Sequence, residues 1–414
     1  MHRLYILFSI LTISLKGFCQ EKYEIIPPEN IKTILFNGPT DDQFPVITLS
    51  ETLTLEFDDL YADEADYYYK IIHCNNDWTP SNLNKQQYLK GVDDVRITTY
   101  ENSFTTLQPY SHYTLEIPNR NTKLAITGNY MIEIYDSYDE IVFSRKFMVY
   151  KNSLPVEVTL KRSRDLNYAN TKQVVQFAIS NTSQVLNPQQ QLKVVLLQNY
   201  QWHNAKFDIA PQYTLGDEII YKYDQETAFW AGNEYLNFEN KNVRVSGTGV
   251  RKIDLKDLYH NYLYVNERRS DKIYTYNPDI NGDFEITTDN GRNTETEAEY
   301  AYVHFALQYD PAIGFNDVYI YGKFNNYELL PENKLEKNSE TGLLEATVLL
   351  KQGFYNYKYV VFSDKEQTID YNAICGNFHQ TENSYMVLVY YRGYGDLYDS
   401  LIGIGYGNSE NLTN

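Results

Sequence analysis

The sequence predicts an all-β protein built as consecutive β-sandwich domains. Period-2 alternation of apolar and polar residues recurs along the chain, which is the pattern of half-buried strands. Aromatic residues make up 15% of the chain, with 41 Tyr against 3 Trp; tyrosine packs well on a pleated surface and keeps a polar tip for interfaces. At 414 residues the chain exceeds what one hydrophobic core usually organises. Charged residues are 22% and Gly and Pro number only 20 and 13, so the composition is not that of a disordered chain.

The first element, residues 1–19, has His2 and Arg3, an apolar run from Leu4 to Leu15, and small residues Gly17 and Cys19 placed for cleavage. It reads as a secretory signal peptide with the mature chain starting near Gln20. Phe18 stands where a lipidated cysteine would require a small neighbour, so Cys19 is not read as a lipid anchor. No later window has the 18 apolar residues of a membrane span. Cleavage removes Arg3 and Lys16 and no acid, taking the net charge from −19 to −21. Nucleic acid and anionic membrane surfaces are poor partners for that field.

From Ile47 the apolar positions are Ile47, Leu49, Leu53, Leu55 and Phe57, and the segment 129–150 reads as a hairpin around "DSYDE". The polar stretch "KNSLP" ends the first domain, expected over 20–153. Strands "VEVTL", "KQVVQFAIS" and "LKVVLLQNY" open a middle domain, 154–295, the last two at hairpin spacing. A polar, acid-rich stretch around residue 295 marks the next joint. Five strands, "YVHFALQYD", "DVYIYGKF", "LLEATVLL", "FYNYKYVVF" and "SYMVLVYYR", fill a C-terminal domain, 296–414. Two short helices are expected: "SNLNKQQYLKG", with Ser81 as N-cap and Gly91 as stop, and "RKIDLKDLYHNY".

No motif carries a complete chemistry. His73, Cys74, Asp77 and Trp78 fall within six positions, but a strand sends His73 and Cys74 to opposite faces and supplies neither a zinc ligand set nor a nucleophile with its base. They are read as core and corner: Cys74 inward, Asp77 starting a turn, Trp78 folded over the sheet. Cys74 and Cys375 could pair in an oxidising compartment, although unpaired burial is the preferred reading. "NPDINGDFEITTDN" sets Asp279, Asn281 and Asp283 at alternate positions, but Phe284 and Asn290 occupy the places an EF-hand needs for Gly and Glu; Asn281-Gly282 is read as a hairpin turn. "GIGYG" (403–407) follows no βα unit and is not a dinucleotide loop. The pairs Asp58-Asp59 and Asp93-Asp94 are read as solvated turns. Catalytic, metal-binding and cofactor-binding residues are therefore expected to be none.

Two resemblances follow from longer stretches. Residues 318–362, with the Gly322-Lys323-Phe324-Asn325 corner and "GFYNYKYVV", resemble the early-set immunoglobulin-like modules that bind starch or glycogen. Those modules stack sugars on Trp, which this segment lacks; Tyr327 is the ring near the equivalent corner, so the likeness is read as one of fold. The stretches "YYYKIIHCNNDWTPSNLNKQQYLKG", "SFTTLQPYSHYTLEIPN", "TGNYMIEIY", "FWAGNEYLNFE" and "QTENSYMVLVYYR…YDSLIGIG" together resemble the plug protein family of the type IX secretion system translocon. This resemblance implies immunoglobulin-like β domains, no enzymatic activity and no cofactor. It also implies a periplasmic location and one partner, the outer-membrane translocon barrel, whose periplasmic opening the protein would seal. Neither a nucleic-acid partner nor a small-molecule substrate is implied, and the barrel-contacting residues are not. An envelope carbohydrate-binding protein is the alternative.

Overall fold

The computed structural model describes residues 24–39, 44–183, 185–289, 293–410 and 412. The expected signal peptide lies outside them. The described residues are 46% strand and 6% helix, as the alternation predicts.

The first unit is a sandwich. One sheet runs in the order Ile31–Asn37, Leu53–Asp59, Ser111–Ile117, Tyr100–Asn102; the other is Val46–Thr48, Ile141–Tyr150, Gly128–Tyr135, Tyr68–Cys74, Val95–Arg96. Leu53, Leu55 and Phe57 point inward and meet Ile71, Ile132 and Phe143 in one core. The expected hairpin over 129–150 is present, pairing Gly128–Tyr135 with Ile141–Tyr150.

In the second unit, Val156–Arg162 pairs with Lys172–Ile179, which continues to Glu218–Tyr221. The facing sheet is Gln201–Lys206, Leu192–Gln198, Ser384–Tyr391, Ser400–Asn408. The expected 172–180/192–200 hairpin is not formed. The two strands lie in opposite sheets, where Val175, Phe177 and Ile179 meet Val194 and Leu196 in a shared core. Spacing identified the strands correctly, but burial of their apolar faces against each other sets them across the sandwich rather than side by side.

Leu192–Gln198 is apolar on both faces for a physical reason. Val194 and Leu196 join the second unit's core, while Val195 and Leu197 pack with Met131, Met148 and Trp78 of the first unit. Four sheets are thus stacked, and the inner two are covered on both sides.

The third unit is a ten-stranded sheet wrapped around its own core, drawing on Leu236–Glu239, Val250–Leu255, Tyr259–Leu263, Tyr300–Leu307, Asp317–Tyr321, Leu344–Lys351 and Gly353–Ser363. Ladders cross the expected joint near residue 295. Leu236–Glu239 pairs with Gly353–Ser363, Tyr259–Leu263 with Tyr300–Leu307, and Leu192–Gln198 with Ser384–Tyr391. The third unit is therefore inserted between strands of the second. A polar stretch marks a surface loop whether or not a core changes there, and this one joins strands of the same core.

Both helix expectations are corrected. "SNLNKQQYLKG" contains a single turn, Lys85–Tyr88, with Asn84 rather than Ser81 at its N-cap. "RKIDLKDLYHNY" is a hairpin of Val250–Leu255 with Tyr259–Leu263; its second strand adds to the edge of Tyr300–Leu307, and those ladder bonds override a helical spacing.

Candidate functional site

The motif at 73–81 is a corner that closes on itself and then on the second unit. Asn75 N donates to Thr79 O at 2.8 Å, Ser81 N to His73 O at 2.9 Å, and Thr79 N to Asp77 Oδ1 at 3.1 Å. The reversal places Trp78 at φ 62°, a left-handed conformation that a bulky residue adopts only when its surroundings fix it. Here they do: the indole is fully buried, edge-on to Trp202 at 4.8 Å, with Lys146 Nζ 4.8 Å from its ring centre. Cys74 is buried in the same cluster. His73 Nδ1 accepts from Ser81 Oγ at 2.9 Å and Nε2 faces Thr127 O at 3.4 Å; burial pushes its pKa down to about 4.

Polar groups at the tip of this corner reach the second unit. Asn76 N donates to Asp399 Oδ2 at 3.2 Å, and Lys193 Nζ bridges Asn76 Oδ1 at 2.9 Å and Asp399 Oδ2 at 3.2 Å. Arg392 adds a bond to Asn75 Oδ1 at 2.5 Å and an ion pair with Asp399 at 2.9 Å.

A second clamp joins the first and third units. Asp58 is fully buried. Its Oδ1 lies 2.7 Å from His112 Nδ1, and its Oδ2 accepts from Lys351 Nζ at 2.7 Å and Tyr300 OH at 2.6 Å. Although burial raises its pKa, Lys351 and His112 outweigh that and hold the carboxyl below its ordinary value. Lys351 also lies 4.1 Å from the Tyr110 ring centre and donates to Glu295 O. The reading of Asp58-Asp59 as solvated turns is therefore corrected: both sit in strand Leu53–Asp59, buried, and Asp59 accepts from Asn30 and Tyr67. Asp93 is also engaged, accepting from Ile71 N and Lys85 Nζ at 2.8 Å, whereas Asp94 is exposed. Burial of adjacent acids was not signalled in the sequence because the partners are distant in it.

Beside this clamp the segment 103–109 is held at its base yet displays apolar side chains. Phe104 N donates to Thr296 O, Leu107 N and Gln108 N to the Glu299 carboxylate, and Gln108 Nε2 to Leu60 O. Phe104 and Tyr61 are nevertheless about two-thirds or more exposed, at 67% and 72%, and Leu107 is 49% exposed. Asp63, Glu64 and Asp66 lie on the adjoining loop. Large apolar groups on a preset backbone make a surface suited to protein contact.

The remaining sequence features have structural placements. Cys74 and Cys375 are both buried, and neither is disulfide-bonded. Asn281 and Gly282 adopt φ 55° and 88°, the left-handed pair of an Asn-Gly turn, but the expected hairpin is not formed: Phe284–Ile286, which follows the turn, pairs with Gly353–Ser363. Asp279 accepts from the N–H groups of Asn281 and Tyr235, and burial raises its pKa to about 7. Gly403, Gly405 and Gly407 lie in strand Ser400–Asn408 against Val156–Arg162; a Cβ on Gly405 would sit 2.7 Å from Val156 Cγ1. The alternate glycines let two sheets approach closely. Tyr327 faces Tyr321 at 5.3 Å and His203 at 6.0 Å, and Asn326 donates to Glu24, so the corner that resembles a sugar-binding one lies against the other two units. Among the described residues no group of three or more His, Cys, Asp or Glu side chains is placed to hold a metal ion, and no helix is long and apolar enough to cross a membrane.

Stacked β-sandwich units, clamped by buried polar clusters, define a multi-unit all-β protein. Residues 31–151 match the family described as "Type 9 secretion system plug protein 1st domain". The chain is also similar to the crystal structure of a hypothetical protein from Parabacteroides merdae, with 32% identity, a TM-score of 0.89, and coverage of 94% of this chain and all of that one. No curated protein matches. The chain belongs to the type 9 secretion system plug protein family.

Proposed function

We propose that the protein is a non-enzymatic periplasmic stopper, exported by a cleaved signal peptide at residues 1–19. It docks on the periplasmic opening of the outer-membrane translocon barrel of type IX secretion and seals it. The observation that carries this reading is the match of the whole first unit to the plug domain. The geometry supports it physically. A barrel wide enough for folded cargo encloses water and leaks without a closure, and a closure must be stiff. Here the first unit is stacked on the second through a shared apolar layer and tied to the third through Asp58 and Lys351. The loop carrying Phe104 and Leu107, next to Tyr61, is the face assigned to the barrel.

The test is deletion of the gene in the parent organism. Vancomycin sensitivity should rise in a manner that requires the barrel, and the tagged protein should copurify with the barrel. An impermeable deletion strain, together with a protein that never copurifies with it, would sink the proposal.

A further inference from the structure

Where the three units meet they line an open-mouthed cavity of about 730 Å³, within the size range of small-ligand sites. Its walls are ring-rich, with Trp202, Tyr321 and Phe324 among them. Its charged groups are mostly committed. Lys32 is paired with Glu332 and Lys323 with Asp283, each at 2.8 Å. Glu24 accepts from Lys146 N at 2.5 Å and Asn326 Nδ2 at 2.6 Å.

Glu328 is not committed in this way, and neither is Arg145. Its guanidinium Nη1 donates to Ser144 O at 2.8 Å and the group lies 5.4 Å from the Phe143 ring centre. Among the described residues no carboxylate comes within ion-pairing distance of it. Glu24 and Glu328 face it from further away; Glu24 is engaged as above, and burial raises the pKa of Glu328. A guanidinium fork set in an aromatic wall without a bidentate acceptor is built to receive one.

We propose that this cavity binds a single-chain amphiphile with a carboxylate head, the head on Arg145 and the apolar body among the rings. The ligand is held rather than turned over, and it would bridge all three units.

The full mature chain is titrated with 8-anilinonaphthalene-1-sulfonate and with N-phenyl-1-naphthylamine, which has the same ring body and no anion. Energy transfer from tryptophan reports occupancy beside Trp202. One saturable site is expected, preferring the anionic probe by about tenfold. Arg145→Gln should abolish that preference and Arg145→Lys should keep much of it. Sodium dodecanoate should displace the anionic probe at concentrations where dodecanol does not. Equal affinity for the two probes, a preference that survives Arg145→Gln in a folded variant, or equal displacement by dodecanoate and dodecanol overturns the proposal. The displacement arm needs no variant, so a misfolded Arg145→Gln protein leaves the test intact.

Discussion

Lys351 Nζ lies 2.7 Å from Asp58 Oδ2, with both side chains essentially removed from water although they belong to different units. Removing one partner leaves the other charge buried and uncompensated. Lys351→Met should therefore destabilise by about 3–5 kcal/mol, and adding Asp58→Leu should recover part of the loss. Urea unfolding of both variants measures this. Because the Asp58 pKa is lowered in the folded state, its contribution is complete above the ordinary value of 3.8 and is lost as pH falls through the lower folded one.

His73 gives a second pH dependence at higher pH. Its pKa falls from 6.5 to about 4 on folding, so the folded state holds it neutral while the unfolded chain takes up a proton. The stability it contributes is whole above pH 6.5 and declines toward pH 4, by roughly 3 kcal/mol in all. His203, pushed down to about 3 by burial, adds to the same slope. Denaturant midpoints recorded between pH 7 and 4 should fall, and less steeply in His73→Gln.

Gly405→Ala should cost about 1–3 kcal/mol, since the new methyl enters the space of Val156 and Val158. Val156→Ala in the same chain should relieve part of it. An undiminished unfolding midpoint for Gly405→Ala would contradict the close sheet approach.

Phe104→Ser with Leu107→Ser should leave thermal unfolding nearly unchanged, because both side chains are exposed and only their backbone groups are bonded. The pair should weaken recovery of the translocon barrel in pull-downs. Undiminished recovery would move the docking face elsewhere on the surface.

The strands were legible because alternation records which face is wet. Leu53, Leu55 and Phe57 fell where expected, and so did the 129–150 hairpin. Partner choice was less legible. The unbroken apolar runs "KVVLL" and "YMVLVYY" did carry a signal, since a strand apolar on both faces must be covered on both; here those runs are the layers between stacked sheets. The corner at 73–81 was readable as a turn, but its use was not, since Asp399, Lys193 and Arg392 come from distant positions. The same distance hid the burial of Asp58. Many tyrosines also serve the interior: Tyr300, Tyr385 and Tyr390 are buried with their hydroxyls bonded to Asp58, Gln173 and Asn129.

The pairing of Leu192–Gln198 with Ser384–Tyr391, across the inserted third unit, has a consequence for biogenesis. The first unit has all its strands once residue 150 has been made, so it can fold while synthesis continues. The second cannot close its sheet until nearly the whole chain is through, because one edge of Leu192–Gln198 waits for a ladder partner made much later. A chain released early would carry a finished first unit beside an open, adhesive edge. An unpaired edge of that kind is a template for pairing with other chains, so the last strands decide whether the whole molecule closes on itself.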